Sequence, residues 1–89
     1  MLRIIYAIGH THVGNAFIVA RTIWAGERRL DEGFIAIGRS QRPQKFASKP
    51  DARDAIARAT RADQAAATRL GFRARVTIGA DQTRVEVFS

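Results

Sequence analysis

Hydrophobic residues recur along this chain with two different periods, and the change of period divides it into strands and one long helix. Leu2 to Ile8 is rich in β-branched and aromatic residues and predicts a strand. Glycines bracket the segment from Gly9 to Asn15, which predicts a turn. Ala16 to Trp24 is apolar on both faces except at Arg21 and Thr22, as expected of a strand inside a sheet. The polar run Ala25 to Glu32 predicts the tip of a connection, and Gly33 to Gly38 a short third strand carrying Phe34, Ile35 and Ile37.

From Lys49 to Leu70 the period becomes helical. Ser48 is placed to cap the first turn, with Asp51 three residues on, and Pro50 is tolerated because first-turn amides lack intrahelical acceptors. Ala52, Ala55, Ile56, Ala59, Ala66 and Leu70 define one apolar stripe. That stripe is mostly alanine, so the helix can lie close to a sheet. Gly71 stands where a left-handed residue ends a helix, and Phe72 can make the contact that accompanies such an ending. Strict alternation returns in Phe72 to Ile78 and in Thr83 to Phe88, with Gly79-Ala80-Asp81-Gln82 as the hairpin turn. The order β-β-β-α-β-β predicts a single two-layer α+β domain over residues 1–89, its helix packed on one face of a mainly antiparallel sheet.

Composition narrows the class. At 89 residues there is room for one core, and 46% hydrophobic content argues against disorder. The absence of cysteine excludes disulfides and thiolate metal sites. The N-terminal apolar run is too short to span a bilayer and lacks a small-x-small cleavage pattern, so a soluble, cytoplasmic protein with no membrane partner is expected.

Charge changes the picture more. Fifteen Lys and Arg against eight Asp and Glu give a net charge of +7, which points to a negatively charged partner. Between Glu32 and Asp51 there is no acid, yet Arg39, Arg42, Lys45 and Lys49 all fall there. In the C-terminal hairpin, alternation puts Arg73, Arg75 and Thr77 on one side, with Arg84 and Glu86 on the partner strand. If the apolar residues meet the helix, Arg73, Arg75 and Arg84 share the exposed sheet face, and the acid-free segment extends that patch at its rim. The candidate binding set is therefore Arg39, Arg42, Lys45, Arg73, Arg75 and Arg84, with Lys49 its weakest relation because it starts the helix.

Other chemistry is sparse. Asp54 precedes Arg58 by four residues, the favourable spacing for a local ion pair. Asp63 falls within the apolar stripe and needs a partner, such as an arginine from the sheet. His10 and His12 form an H-x-H pair, but a metal site needs further ligands and no second spaced motif supplies them. The pair reads as two histidines in a turn, and neither a catalytic constellation nor a cofactor is expected. No phosphate-cradling G-x-x-x-x-G-K-[ST] loop occurs. Phe46 reads as a hydrophobic staple against the first helical turn. A monomer and a homodimer are both compatible with the sequence, the homodimer pairing through the edge strand Thr83 to Phe88.

The segment Gln44-Lys45-Phe46-Ala47-Ser48-Lys49-Pro50-Asp51-Ala52, followed by Ala55 and Ala59, resembles a pattern in small proteins of mobile elements: an aromatic strand end, then Ser/Thr-Lys opening an alanine-faced helix. It resembles the N-terminal DNA-binding domains of phage-type integrases and is similar to certain small α+β anti-CRISPR proteins. The integrase module lacks the two strands that follow this helix. A stand-alone protein without a catalytic domain fits the inhibitor better. The resemblance implies a non-enzymatic phage protein that blocks a CRISPR surveillance complex, or another nucleic-acid-handling complex, through its basic surface. The partner would be acidic protein surface, RNA or DNA. The alternative it implies is direct DNA binding by the sheet.

Overall fold

A computed structural model describes residues 1–11, 14–36 and 42–89. Five strands and one helix follow in the order β1 (Leu2–His10), β2 (Phe17–Ala25), β3 (Arg28–Phe34), α1 (Lys49–Arg69), β4 (Arg73–Ile78) and β5 (Gln82–Phe88). They form one sheet of order β3-β2-β1-β5-β4, with each neighbouring pair antiparallel. The α+β sandwich expected from the alternating periods is the fold.

Register decides which residues share a face. Tyr6 stands opposite Arg21 on β2 and Thr83 on β5, and Ile4 stands opposite Ile23 and Val85. These side chains point to the helix. There Ile4, Tyr6, Val19 and Val85 pack against Ala52, Ala55 and Ile56, and Phe46 closes the cluster. The alanines do what the sequence implies: they bring the helix near enough for the β-branched sheet residues to fill the gap. The buried stripe is Ala52, Ala55, Ile56, Thr60 and Ala67, so its second half sits one residue later than expected. Ala66 is only half-buried and Leu70 is exposed, because the helix ends there and its last side chain clears the sheet.

Both helix ends follow local chemistry. The Ser48 hydroxyl accepts the Asp51 N–H at 3.2 Å. At the other end the Gly71 N–H donates to Thr68 O at 3.1 Å and the Phe72 N–H to Ala67 O at 2.9 Å. With Gly71 at φ 83°, this is a complete Schellman ending. Gly79 is needed for a different reason: its N–H donates to Gln82 O, and an added Cβ would stand 2.6 Å from that backbone oxygen.

Three expectations are corrected. The polar run after Trp24 is a strand rather than a connecting tip: Gly26 and Glu27 make a two-residue turn, and Arg28–Phe34 pairs with β2. An edge strand exposed on both faces needs no apolar alternation, so its charges hid it. The residues expected at the end of that strand, 37–38, lie outside the described residues. Thr83 to Phe88 is not an edge, since β5 runs between β1 and β4, and a homodimer cannot pair through it. Asp54 and Arg58 form no ion pair, because two exposed side chains gain too little from one fixed geometry.

Candidate functional site

One helix cannot cover this sheet. Five strands spaced ~4.8 Å apart span ~19 Å between outer axes, whereas a helix with its side chains is ~10 Å across. The face away from α1 is left uncovered by the described elements, and on the helix side a groove remains along each flank of α1.

The uncovered face carries the expected arginines. Arg75 stands opposite Glu86, Thr77 opposite Arg84, and Arg73 opposite Phe88, at the β1-distal end of the sheet. Glu86 is only 9% exposed although no helix lies over it. Its cover is arginine: Arg75 Nη2 approaches at 3.4 Å and Arg84 Nε at 3.4 Å. Arg3, the cross-strand neighbour of Glu86 on β1, lies on the same face with its guanidinium 5.8 Å from the Trp24 ring centre, and it donates to Gly26 O at 3.1 Å. Arg75 and Arg84 therefore share one carboxylate, while Arg3 is directed to Trp24 and Gly26 on the same face and Arg73 stands beside Arg75 along β4. The cluster stays net positive, and Glu86 holds it in place.

The rest of the expected set lies elsewhere. Lys45 is exposed beside Asp51, Asp54 and Arg58, in the helix layer and so on the other side of the sheet from the arginines. Lys49 is paired with Asp81 at 3.1 Å. Arg42 is exposed just before Pro43, which bridges to Ala36, and Arg39 lies outside the described residues. His10 ends β1 with its ring edge-on to Phe17, centroids 5.0 Å apart, and His12 lies outside the described residues. Among the described residues no three His, Asp or Glu side chains gather as a metal site. Phe46, the expected staple, is in the core and is held to β2 by reciprocal backbone bonds with Phe17.

On the helix side, the flank over β1 and β2 holds a cleft of about 430 Å³ between Ile4, Leu2 and Val87 of the sheet and Ala66, Ala67 and Leu70 at the helix end. Phe46 fills the upper part of this flank, so the gap opens lower down. A polar group forms its wall. The Tyr6 hydroxyl donates to Asp63 Oδ2 at 2.5 Å, Arg21 Nε–H donates to the Tyr6 oxygen at 3.2 Å, and Arg21 Nη2 stands 3.8 Å from Asp63 Oδ1. Burial pushes the Tyr6 hydroxyl from its ordinary 10.0 up to about 12; the hydrogen bond to Asp63 adds to the rise and Arg21 opposes it. Asp63 thus has the sheet arginine that its place in the stripe called for. Tyr6 was the unread member, because only the register that sets it opposite Arg21 brings it there.

The flank over β4 holds a second groove of about 290 Å³, between Ile56, Ala57 and Thr60 of α1 and Val76 and Ile78 of β4. Arg53 and Arg61 stand in its lining, which contains no Asp or Glu.

Comparison of the chain with protein-family models, with curated proteins and with solved structures finds no match.

Proposed function

We propose that this protein acts by occupancy, docking the arginine-bearing open face of its sheet on the polyanionic surface of a nucleic-acid-handling complex. The observation that carries this reading is the group Arg3, Arg73, Arg75 and Arg84, gathered on a face that no described element covers, with Arg75 and Arg84 held by a single acid. Guanidinium groups suit such a surface because each presents several donors in a fixed plane to phosphate or carboxylate oxygens. The burial of Glu86 supports the reading too, since it fixes two of the four side chains before a partner arrives and lowers the entropy lost on binding. No helix among the described residues is long and apolar enough to cross a membrane. The setting in which we place it is the cytoplasm of a host cell, as a phage-type inhibitor of the anti-CRISPR kind. Direct nucleic-acid binding by the same face is the second reading, favoured by Trp24 and the 43% exposed Phe34, aromatic rings that share the open face with the arginines.

The test is the double reversal R75E/R84E. Fluorescence anisotropy with labelled duplex DNA and single-stranded RNA, at about 50 and 200 mM salt, reads direct binding, whose affinity falls steeply with salt when phosphates are contacted. Capture of a nucleoprotein complex from host lysate reads the first reading. Capture without binding to naked nucleic acid, lost in the double variant, supports inhibition by occupancy. Salt-sensitive binding to naked nucleic acid, lost in the variant, supports the second reading. Retention of every interaction by a folded R75E/R84E protein rejects the open face as the site.

A further inference from the structure

The two outer strands of the sheet are not equivalent. β3 carries Arg28, Arg29, Asp31 and Glu32 and has a register shift opposite Ile23 and Trp24, devices that blunt an edge against further pairing. β4 has no such shift, and its charges, Arg73 and Arg75, lie on one face only. Its register with β5 is unbroken from Arg73 to Ile78, it ends in the β-branched run Val76-Thr77-Ile78, and Ile78 is 80% exposed.

The hydrogen-bond phase of that edge follows from the turn. Gly79 N–H donates to Gln82 O, so the residues paired with β5 through hydrogen bonds continue as Thr77, Arg75 and Arg73. The backbone N–H and C=O groups of Ala74, Val76 and Ile78 then face outward. Their side chains point to the helix layer, beside the groove that α1 leaves along this flank. On the opposite face the edge is bordered by Arg73 and Arg75.

We propose that the outer edge of β4 accepts an extended strand from an acidic partner protein, added antiparallel. Residues of the incoming strand that pair with Ala74, Val76 and Ile78 lie over the groove and are apolar. The alternate residues lie beside Arg73 and Arg75 and are acidic. A second copy of this chain is a poor occupant: pairing two β4 strands antiparallel gathers Arg73 and Arg75 of both copies on one face of the joined sheet, between molecules that each carry +7. This goes beyond the open-face reading: the two share Arg73 and Arg75, but only the edge uses the outward backbone groups of β4, which the methylated peptides below test alone.

The probe is a fluorescein-labelled, C-terminally amidated heptapeptide, Glu-Val-Glu-Val-Glu-Val-Glu. Antiparallel pairing sends the valine N–H groups to β4 and the glutamate N–H groups outward. Methylating the three valine nitrogens should weaken binding at least tenfold, while methylating glutamate nitrogens leaves it within about threefold. The Lys/Val analogue should not bind. R73E, which reverses a cation bordering this edge on the side where the glutamates lie, should weaken binding about tenfold or more. R84E, on β5, should leave peptide binding nearly unchanged and affect only the open face. Amide shifts in NMR should centre on Ala74, Val76 and Ile78. Equal binding of the two methylated peptides, shifts centred on Arg84 and Glu86, no binding by the Glu/Val peptide, or dimerisation through β4 at the working concentration would each overturn the proposal.

Discussion

The two faces of this sheet are written in the same strands, one residue apart, yet they are stabilised in different ways. On the covered face Ile4, Val19 and Val85 lose their water to alanines of α1 and to Phe46, and the gain scales with apolar area. On the open face the row Trp24, Arg3, Glu86 and Arg75 crosses from β2 to β4 and covers itself. The arginine stems and the Trp24 ring shield each other, and Glu86 is hidden by the cations it pairs with. The first face requires the helix. The second requires only neighbours on the sheet, and leaves Arg75 and Arg84 largely in solvent.

That contrast sets the scale of the largest expected effect. Val85 is fully buried beneath α1, whereas Ile5, its neighbour in sequence to Ile4 but on the open side, is half-buried. Truncating Val85 to Ala removes two methyl groups from a packed interior and should cost about 2–3 kcal/mol by urea denaturation. Ile5→Ala should cost about 1 kcal/mol or less, since water and flexible arginine stems fill the space. Equal losses would mean that the open face is covered by something and that the two faces are alike.

A similar effect is expected at alkaline pH, from the polar group inside the covered face. Tyr6 is the chain's only tyrosine, so its ionisation can be followed without interference by ultraviolet absorbance. With its hydroxyl raised from 10.0 to about 12, the folded protein holds the proton in a range where the unfolded chain has released it. Stability from this group is full below pH 10 and is lost as pH rises from about 10 to 12; the complete loss is about 2–3 kcal/mol. Tyr6→Phe should abolish that part of the alkaline decline. It should also lower stability at pH 7 by about 1–2 kcal/mol, because Asp63 then keeps only the more distant Arg21. An unchanged alkaline profile in Tyr6→Phe would show that Tyr6 is not the group titrating.

How much of this was legible depended on whether the signal was local. The helix and both its ends could be read because Ser48, Gly71 and the alanine spacing act within a turn or two. The C-terminal hairpin could be read because alternation and Gly79 act within ten residues. The sides taken by Arg73, Arg75 and Arg84 followed from the same alternation. What could not be read was strand order and register, which are set by contacts far apart in sequence. That is why alternation alone presents β5 as an edge, and why charge alone groups Lys45 with arginines that lie on the other side of the sheet. It is also why Tyr6 was missed: Arg21 and Asp63 are each conspicuous as charges in apolar surroundings, but the residue joining them is an ordinary core aromatic in sequence. β3 escaped for a further reason, since a strand at a polar edge has no burial pattern to betray it.

A small effect on stability is expected at Glu86, and it distinguishes the faces most sharply because stability and binding should move in opposite directions. Glu86→Gln keeps the shape and the hydrogen-bonding capacity but removes the only acid among Arg3, Arg75 and Arg84. Both cations paired with it are largely in water, with side-chain exposures of 67% for Arg75 and 47% for Arg84, so solvent screens most of the lost attraction. The protein should become less stable by about 1 kcal/mol, with the loss shrinking at high salt. Affinity for a polyanion should rise several-fold at about 50 mM salt, because the unit of repulsion removed near the bound phosphates outweighs the lost ordering of two side chains that are already largely in water. If Glu86 serves mainly to hold the guanidinium groups in a binding-ready array, affinity falls instead, and the array rather than the net charge is what the partner reads. On the covered face no substitution can produce that trade, since a buried apolar contact has nothing to give to a partner when it is lost.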